Sequence, residues 1–340
     1  MNYETLADLA LEGKEIPRQD LRSLLRAPDD DVLAVLQAAF RVRRAAFGKR
    51  VKLNYLLNAK SGLCPEDCGY CSQSKVSEAD IDSYPFLSDK EILAAAGRAV
   101  NLSARRLCLV NSGRGPTDGE IRAISGAVEK VRETYPSLEI CVCLGLLGED
   151  KAGALKAAGV DAYNHNLNTA ESRYPSICST HTYRDRVETL KAAKKSGLSP
   201  CSGCLFGMGE TDDEIVDLAE TLGRTGVDSI PLNFLIPIPG TPLEGGGGLT
   251  PQKCLKILCL FRFVNPKSEV RVAGGREVHL RWLQPLGLYA ANSIFIGDYL
   301  TTKGQKPESD IAMIRDLGFE IEGAGVPAAA PEEEFAVRLK

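Results

Sequence analysis

The sequence predicts an α/β fold, a TIM-type (β/α)8 barrel with an N-terminal helical extension. Between residues 51 and 320, eight short apolar runs alternate with amphipathic helical stretches, the repeat that builds a closed parallel sheet. A chain of 340 residues is long enough for one large domain of that kind. A Cys-rich loop follows the first run, and barrel chemistry sits at the carboxyl ends of the strands. A doubly wound open sheet is the alternative, and it would place the working residues at the same strand ends.

Residues 1–50 read as the helical extension. Leu6, Leu9, Leu11 and then Leu33, Leu36 and Phe40 recur among charges, with Pro17 and Pro28 as breaks. The barrel is expected over 51–320, with strands at 52–57, 106–110, 139–144, 162–167, 199–206, 229–235, 269–273 and 293–296. Helices at 90–101, 120–134, 152–158, 183–196, 212–225 and 251–264 fall between them. Residues 321–340 turn small, Pro-containing and acidic, and are expected to be a disordered tail.

Composition narrows the function classes. The chain is 44% hydrophobic and 25% charged, with a net charge of −4 and a pI near 5.6. This argues against nucleic acid as a partner. Its one basic run, 41–50, alternates with apolar residues and reads as a solvated helix face. Eleven Cys without a signal peptide or an apolar spanning run point to a reducing cytoplasm, no membrane, and metal-binding or catalytic thiols rather than disulfides. Three His leave little scope for a His-based metal site.

The loop at 58–74, NAKSGLCPEDCGYCSQS, carries Cys64, Cys68 and Cys71 with C-x3-C-x2-C spacing. Soft thiolates select zinc, copper(I) or an iron–sulfur cluster, and three ligands leave a metal position open for chemistry. A structural zinc knuckle usually closes with four ligands in paired units, and no second pair lies nearby. A second group comes from the strands: Cys108 on the second, Cys141 and Cys143 on the third, and Cys201 and Cys204 at the two ends of the fifth. Inward side chains of neighbouring barrel strands meet in the interior. Cys141 and Cys143 share a face, whereas Cys201 and Cys204 have opposite parity. The competing reading is that buried Cys act as small hydrophobes; Cys254 and Cys259, in an apolar helical run, fit it, and Cys178 shows no pattern.

The loop spacing, with Tyr70 before its last Cys, resembles the radical S-adenosylmethionine (SAM) superfamily. Further runs make the resemblance more specific: YNHNLNT at 163–169, CSGCLFGMGET at 201–211, IPLNFL at 230–235, GTPLEG at 240–245, VRVAGGRE at 270–277 and AANSIFIGDYLTT at 290–302. In order and spacing, over residues 20–320, these resemble the biotin synthase family. The resemblance implies a radical SAM enzyme that inserts sulfur into dethiobiotin. Cys64, Cys68 and Cys71 would hold a [4Fe–4S] cluster with SAM. Cys108, Cys141, Cys201 and Arg271 would hold an auxiliary sulfur-donor cluster, [2Fe–2S] by family habit. Cys143 and Cys204 exceed that set and are candidates for further ligands of a larger cluster.

By match, Tyr70, Gly209, Glu210, Asn168 and Arg186 would serve SAM. Asn164, Asn166, Asn233, Thr301 and Thr302 would hold dethiobiotin. The family often has Asp where this chain has Asn168, so an acceptor is kept and a charge is lost. No side chain is expected to act as a catalytic acid or base, and His165 is expected to be a hydrogen-bonded support. A flavodoxin or ferredoxin reductant and a homodimer are implied by the same resemblance. The alternatives are another radical SAM enzyme, a mutase or a metallocofactor maturase, and a non-catalytic electron carrier or zinc-structured binding protein.

Overall fold

A computed structural model describes residues 2–323, in which the predicted barrel is closed. Its strands are β1 (Arg50–Lys60), β2 (Arg106–Asn111), β3 (Glu139–Cys143), β4 (Ala162–Asn164), β5 (Ser199–Cys201), β6 (Cys204–Phe206), β7 (Ser229–Phe234), β8 (Glu269–Val272), β9 (Ser293–Ile296) and β10 (Glu320–Ile321). All pairings between these strands are parallel, and the ring runs β1, β2, β3, β4, β5, β7, β8, β9 and back to β1. Helices pack outside, four of them starting on a capping box that follows a strand: Ser88 with Glu91, Thr117 with Glu120, Thr182 with Asp185, and Thr211 with Glu214. Each box satisfies amides that the first helical turn leaves unpaired, so the turns above the strands are held by local chemistry.

One expected strand, 199–206, is divided. Pro200 and Pro231 have no N–H to give to a ladder, and β5 pairs with β7 only at Cys201 opposite Ser229. The chain bends at Ser202 and Gly203 before β6 resumes against β7. A Cβ on Gly203 would stand 1.7 Å from the carbonyl oxygen of Pro231, so the crossing requires glycine. The break separates two thiols: Cys201 packs in the barrel interior, whereas Cys204 joins the hydrophobic layer between sheet and helices. The fourth strand is also shorter than expected. It ends at Asn164, and Asn168 takes a left-handed φ of 67°.

The N-terminal helices Tyr3–Leu11, Arg18–Leu25 and Val32–Phe47 pack on the barrel helix Pro251–Val264. Arg18, Arg22 and Arg26 clamp this extension to the barrel helix Asp212–Thr225 through Asp217 (2.6 Å), Asp213 (2.8 Å) and Asp212 (2.6 Å). The basic run is not uniformly solvated. Arg41 pairs with Glu4 and Asp8 at the surface. Arg43 is fully buried, donates to the carbonyls of Ala291 and Arg50, and lies over the Phe319 ring. At the other end, β10 pairs Glu320 and Ile321 with the start of β1, so Ile321, the first residue of the expected tail, belongs to the sheet. Residues 324–340 of that tail lie outside the described residues. Among the described residues, no helix is long and apolar enough to cross a membrane.

Candidate active site

Three layers rise along the barrel axis. The floor is ionic: Lys52 pairs with Glu139 at 2.6 Å, and Arg106 pairs with Glu139 at 2.9 Å and with Glu269 at 3.4 Å. Glu269 also pairs with Arg271. Arg271 is buried, and donates to Ser293 Oγ (3.2 Å) and Ser229 Oγ (3.0 Å). Burial opposes ionisation of Glu269, but Arg271, Arg106 and Lys52 hold its carboxyl well below the usual range. Three cations thus face two carboxylates, which leaves positive charge for anions bound above them.

The middle layer is sulfur. Parallel register sets Cys108 opposite Cys141, Cys141 opposite Ala162, and Asn164 opposite Cys201. Cys108, Cys141 and Cys201 share one interior cluster with Ala162, Ala273 and Phe295. Interaction with the Cys108 and Cys201 thiols, together with burial, raises the pKa of Cys141. Cys141 in turn, and then Arg271 and Arg106, lower those of Cys108 and Cys201 against burial, the latter to about 5. Asn164 Nδ2 donates to Cys201 Sγ at 3.2 Å. These soft donors beside a guanidinium fit a small anionic iron–sulfur cluster.

Above the thiols opens a cavity of about 280 Å³ lined by Tyr70, Cys143, Asn164, Asn166, Asn168, Asn233, Arg271, Thr301 and Thr302, with Leu56, Phe295 and Tyr299 among its apolar walls. The three Asn therefore share a face, although the strand itself stops at the first of them. Asn168 Nδ2 donates to the Tyr70 hydroxyl at 2.5 Å, Asn164 Nδ2 donates to Asn166 Oδ1 at 3.0 Å, and Asn233 bridges Cys204 O and Gly274 N. Thr301 hydrogen-bonds Ser72 across the mouth at 2.8 Å. Cys143 sits one layer above Cys141, its thiol pushed up to about 12 by burial. Cys204 is outside this set, because the bend at Gly203 turns it away.

The loop that carries the other three thiols reaches the cavity through Tyr70. Burial pushes the Cys71 thiol up to about 11, and the negative charge of Cys64 adds to this. The Cys68 thiol is raised chiefly by Cys178 and burial, with Cys71 a smaller influence, and it packs in one cluster with Cys71 and Tyr70. Ligands to the corners of a four-iron cluster must stand farther apart than ligands to one ion, and the loop provides no fourth thiol at such a corner. The donor set fits a [4Fe–4S] group with one open position. Arg186, buried beside the loop, donates to Asn166 O (2.7 Å), to His181 Nε2 (2.7 Å) and to the Tyr174 hydroxyl. Gly209 is exposed, and Glu210 accepts from the amides of Gly207 (2.7 Å) and Met208 (2.9 Å); neither Gly209 nor Glu210 lines the cavity. His165 is buried with its Nε2 unpaired, contrary to the expected hydrogen-bonded support. Burial and the nearby Arg186 charge keep its ring neutral, well below the usual pKa.

Sequence reasoning passed over Cys178, His181, Glu269 and Tyr299. Cys178 Sγ lies 3.7 Å from Cys68 Sγ and 3.2 Å from Asp67 Oδ1. Its thiol is held down to about 4, chiefly by the bond to Cys68 and then by His181 and Thr180, against burial. A C-x2-H spacing was the available signal, and for Glu269 it was the position two before Arg271 on one strand face. Tyr299 donates to Ala273 O at 3.2 Å; it stands in the run 290–302, two residues before Thr301, and only its place in that run marked it. Cys254 and Cys259 are buried in Pro251–Val264, as expected of core residues.

Residues 60–222 match the model of the Radical SAM superfamily, and residues 231–320 match that of the Biotin and Thiamin Synthesis associated domain. Biotin synthase from Bacillus cereus (strain AH820) is 56% identical over 321 residues, covering 94% of this chain and 96% of that protein. Biotin synthase from Bacillus anthracis matches to the same extent. Among solved structures, methylornithine synthase superposes with a TM-score of 0.82 at 21% identity, covering 93% of this chain and 97% of that one. The FeFe-hydrogenase maturase HydG from Carboxydothermus hydrogenoformans gives 0.79 at 17%, covering 94% and 79%; both likenesses concern the fold. With its identity to the Bacillus proteins spanning nearly the whole length of both, the chain belongs to the biotin synthase family of radical SAM enzymes.

Proposed function

We propose that the chain converts dethiobiotin to biotin by radical insertion of sulfur. The supporting observation is a cavity that a loop with three thiols reaches through Tyr70, set above a separate strand trio of thiols on a cationic floor. The C–H bonds to be replaced are too weakly acidic for any side-chain base. When bound, a [4Fe–4S] cluster with SAM supplies a 5′-deoxyadenosyl radical that abstracts their hydrogen atoms, and an auxiliary cluster supplies the sulfur.

The protein's part is to hold and orient. Cys64, Cys68 and Cys71 anchor the first cluster. Tyr70 and Asn168, already bonded to each other, present a ring and an amide to the adenosyl part of SAM, and Arg186 stands ready for its carboxylate. Gly209 and Glu210 act at one remove, since Glu210 ties down the turn after β6. Asn164, Asn166 and Asn233 offer amide donors and acceptors to the ureido ring, and Thr301 and Thr302 offer hydroxyls to the carboxylate end. The apolar walls at Leu56 and Phe295 keep water from the reacting carbons. Cys108, Cys141, Cys201 and Arg271 suit a [2Fe–2S] group; Cys143, facing the same cavity, is the residue by which a larger cluster would differ. From the family we carry over a flavodoxin or ferredoxin as electron source, a homodimeric assembly and a cytoplasmic location.

Anaerobic incubation with SAM, dithionite and dethiobiotin tests the reading. The expected products are 5′-deoxyadenosine, methionine and biotin. Deoxyadenosine without biotin would overturn sulfur insertion, and neither product would overturn the radical chemistry.

A further inference from the structure

We propose that the chain without its loop cluster binds a single soft divalent ion, Zn²⁺ in the first instance, at Cys68, Cys178 and His181. That ion and the SAM-binding cluster would exclude each other because both need Cys68. The three side chains are buried and come from two segments, the loop and the stretch after the short helix Tyr174–Ile177. Their ligand atoms all lie within 4.8 Å of one another. Zn–S bonds of about 2.3 Å and Zn–N bonds of about 2.0–2.1 Å, set at tetrahedral angles, require ligand separations of roughly 3.8 Å between sulfurs and roughly 3.6 Å between sulfur and nitrogen. Cys68 Sγ and Cys178 Sγ stand 3.7 Å apart, and Cys178 Sγ stands 3.8 Å from His181 Nε2. The same closeness rules out Cys178 as a further corner ligand of a four-iron cluster, whose thiolates stand farther apart.

The surroundings suit such an ion. His181 Nδ1 contacts the buried Glu66 carboxylate, the partner that fixes a metal-binding imidazole with its other nitrogen toward the metal. That other nitrogen, Nε2, accepts from Arg186 and lies 2.7 Å from the Tyr174 hydroxyl, so a cation already stands on the metal side of the ring and the hydroxyl must also give way to an ion. An ion taking this place releases the guanidinium, which keeps Asn166 O as acceptor. The Cys68 thiol gives up its proton to solvent as the ion binds, and a water takes the fourth position. Zinc held here would block assembly of the first cluster without touching the sulfur-donor thiols.

The test uses full-length protein stripped of iron under argon and titrated with Co²⁺, whose absorption reports tetrahedral thiolate ligation. Cys141→Ala removes the other thiol group as a source of signal. In that background one equivalent of tetrahedral Co²⁺ is expected, and Cys178→Ala should abolish it. His181→Asn serves as the second variant should Cys178→Ala fail to fold, as judged by circular dichroism. Zinc pre-loading should suppress reconstitution of the loop cluster at least tenfold in wild type and leave the Cys178→Ala yield unchanged. Unaltered Co²⁺ spectra in both variants, or equal zinc inhibition with and without Cys178, would overturn the proposal. Biotin formation is not among the readouts, so failure here is distinct from failure of the proposed function.

Discussion

Cys68→Ala leaves two sulfurs in the loop and should abolish deoxyadenosine and biotin together. Cys141→Ala should leave deoxyadenosine formation measurable while biotin disappears. Product analysis by chromatography distinguishes the two outcomes, and parallel loss of both products in Cys141→Ala would remove that thiol from the sulfur site. Arg271→Ala should be milder than Cys141→Ala, since a guanidinium is a poor iron ligand and Arg271 is bonded to Glu269, Ser229 and Ser293. A fall in biotin formation of about 10- to 100-fold is expected, the range for groups that orient a metal site; a loss as complete as that of Cys141→Ala would contradict this ranking. The loop thiols were legible because thiolate spacing carries chemistry at short range, whereas Arg271 as a partner of Cys108, Cys141 and Cys201 came only from the family resemblance. Cys178 and His181 were not, because their meaning depends on a loop more than a hundred positions earlier that only the fold brings alongside.

At the scale of elements, the break between β5 and β6 decides which thiols see the cavity. Gly203→Ala would force a methyl into the Pro231 carbonyl and should cost about 3 kcal/mol, read as a lowered urea midpoint with an unchanged slope. A wild-type midpoint would show that the close approach is not needed. The box after β6 gives a pH prediction. Burial opposes ionisation of Glu214, but the Thr211 amide, Arg173 and Ser172 lower its pKa from 4.5 to about 2. Its folded pKa lies below the unfolded value, so this stabilisation is full above about pH 4.5 and is lost as the pH falls toward about 2. Glu214→Gln should flatten that part of the thermal-midpoint profile, and an unchanged profile would refute the assignment. The strands were legible from apolar runs, but their ends were not. Pro200 and Pro231 weaken pairing without interrupting the apolar pattern, and beyond Asn164 the fourth strand keeps only an isolated bridge from the left-handed Asn168 to Cys204.

Across the whole molecule, the helical extension is bound to the barrel by Arg18, Arg22 and Arg26, and β10 closes the edge beside β1. The alternation of runs and helices exposed the closed barrel in the sequence, since such a repeat has few ways to bury both faces of its strands. The cationic floor was hidden, because Lys52, Arg106, Glu139 and Glu269 come from four strands and each alone looks like an ordinary charged strand end. On that floor rests the central claim, that two thiol sets hold two separate iron–sulfur groups with different tasks. Mössbauer spectra of isotopically enriched, reconstituted protein test it most directly. Wild type should show two components, Cys68→Ala should lose only the one that responds to SAM, and Cys141→Ala should lose only the other. A single component in wild type, or loss of both components in either variant, would contradict the account.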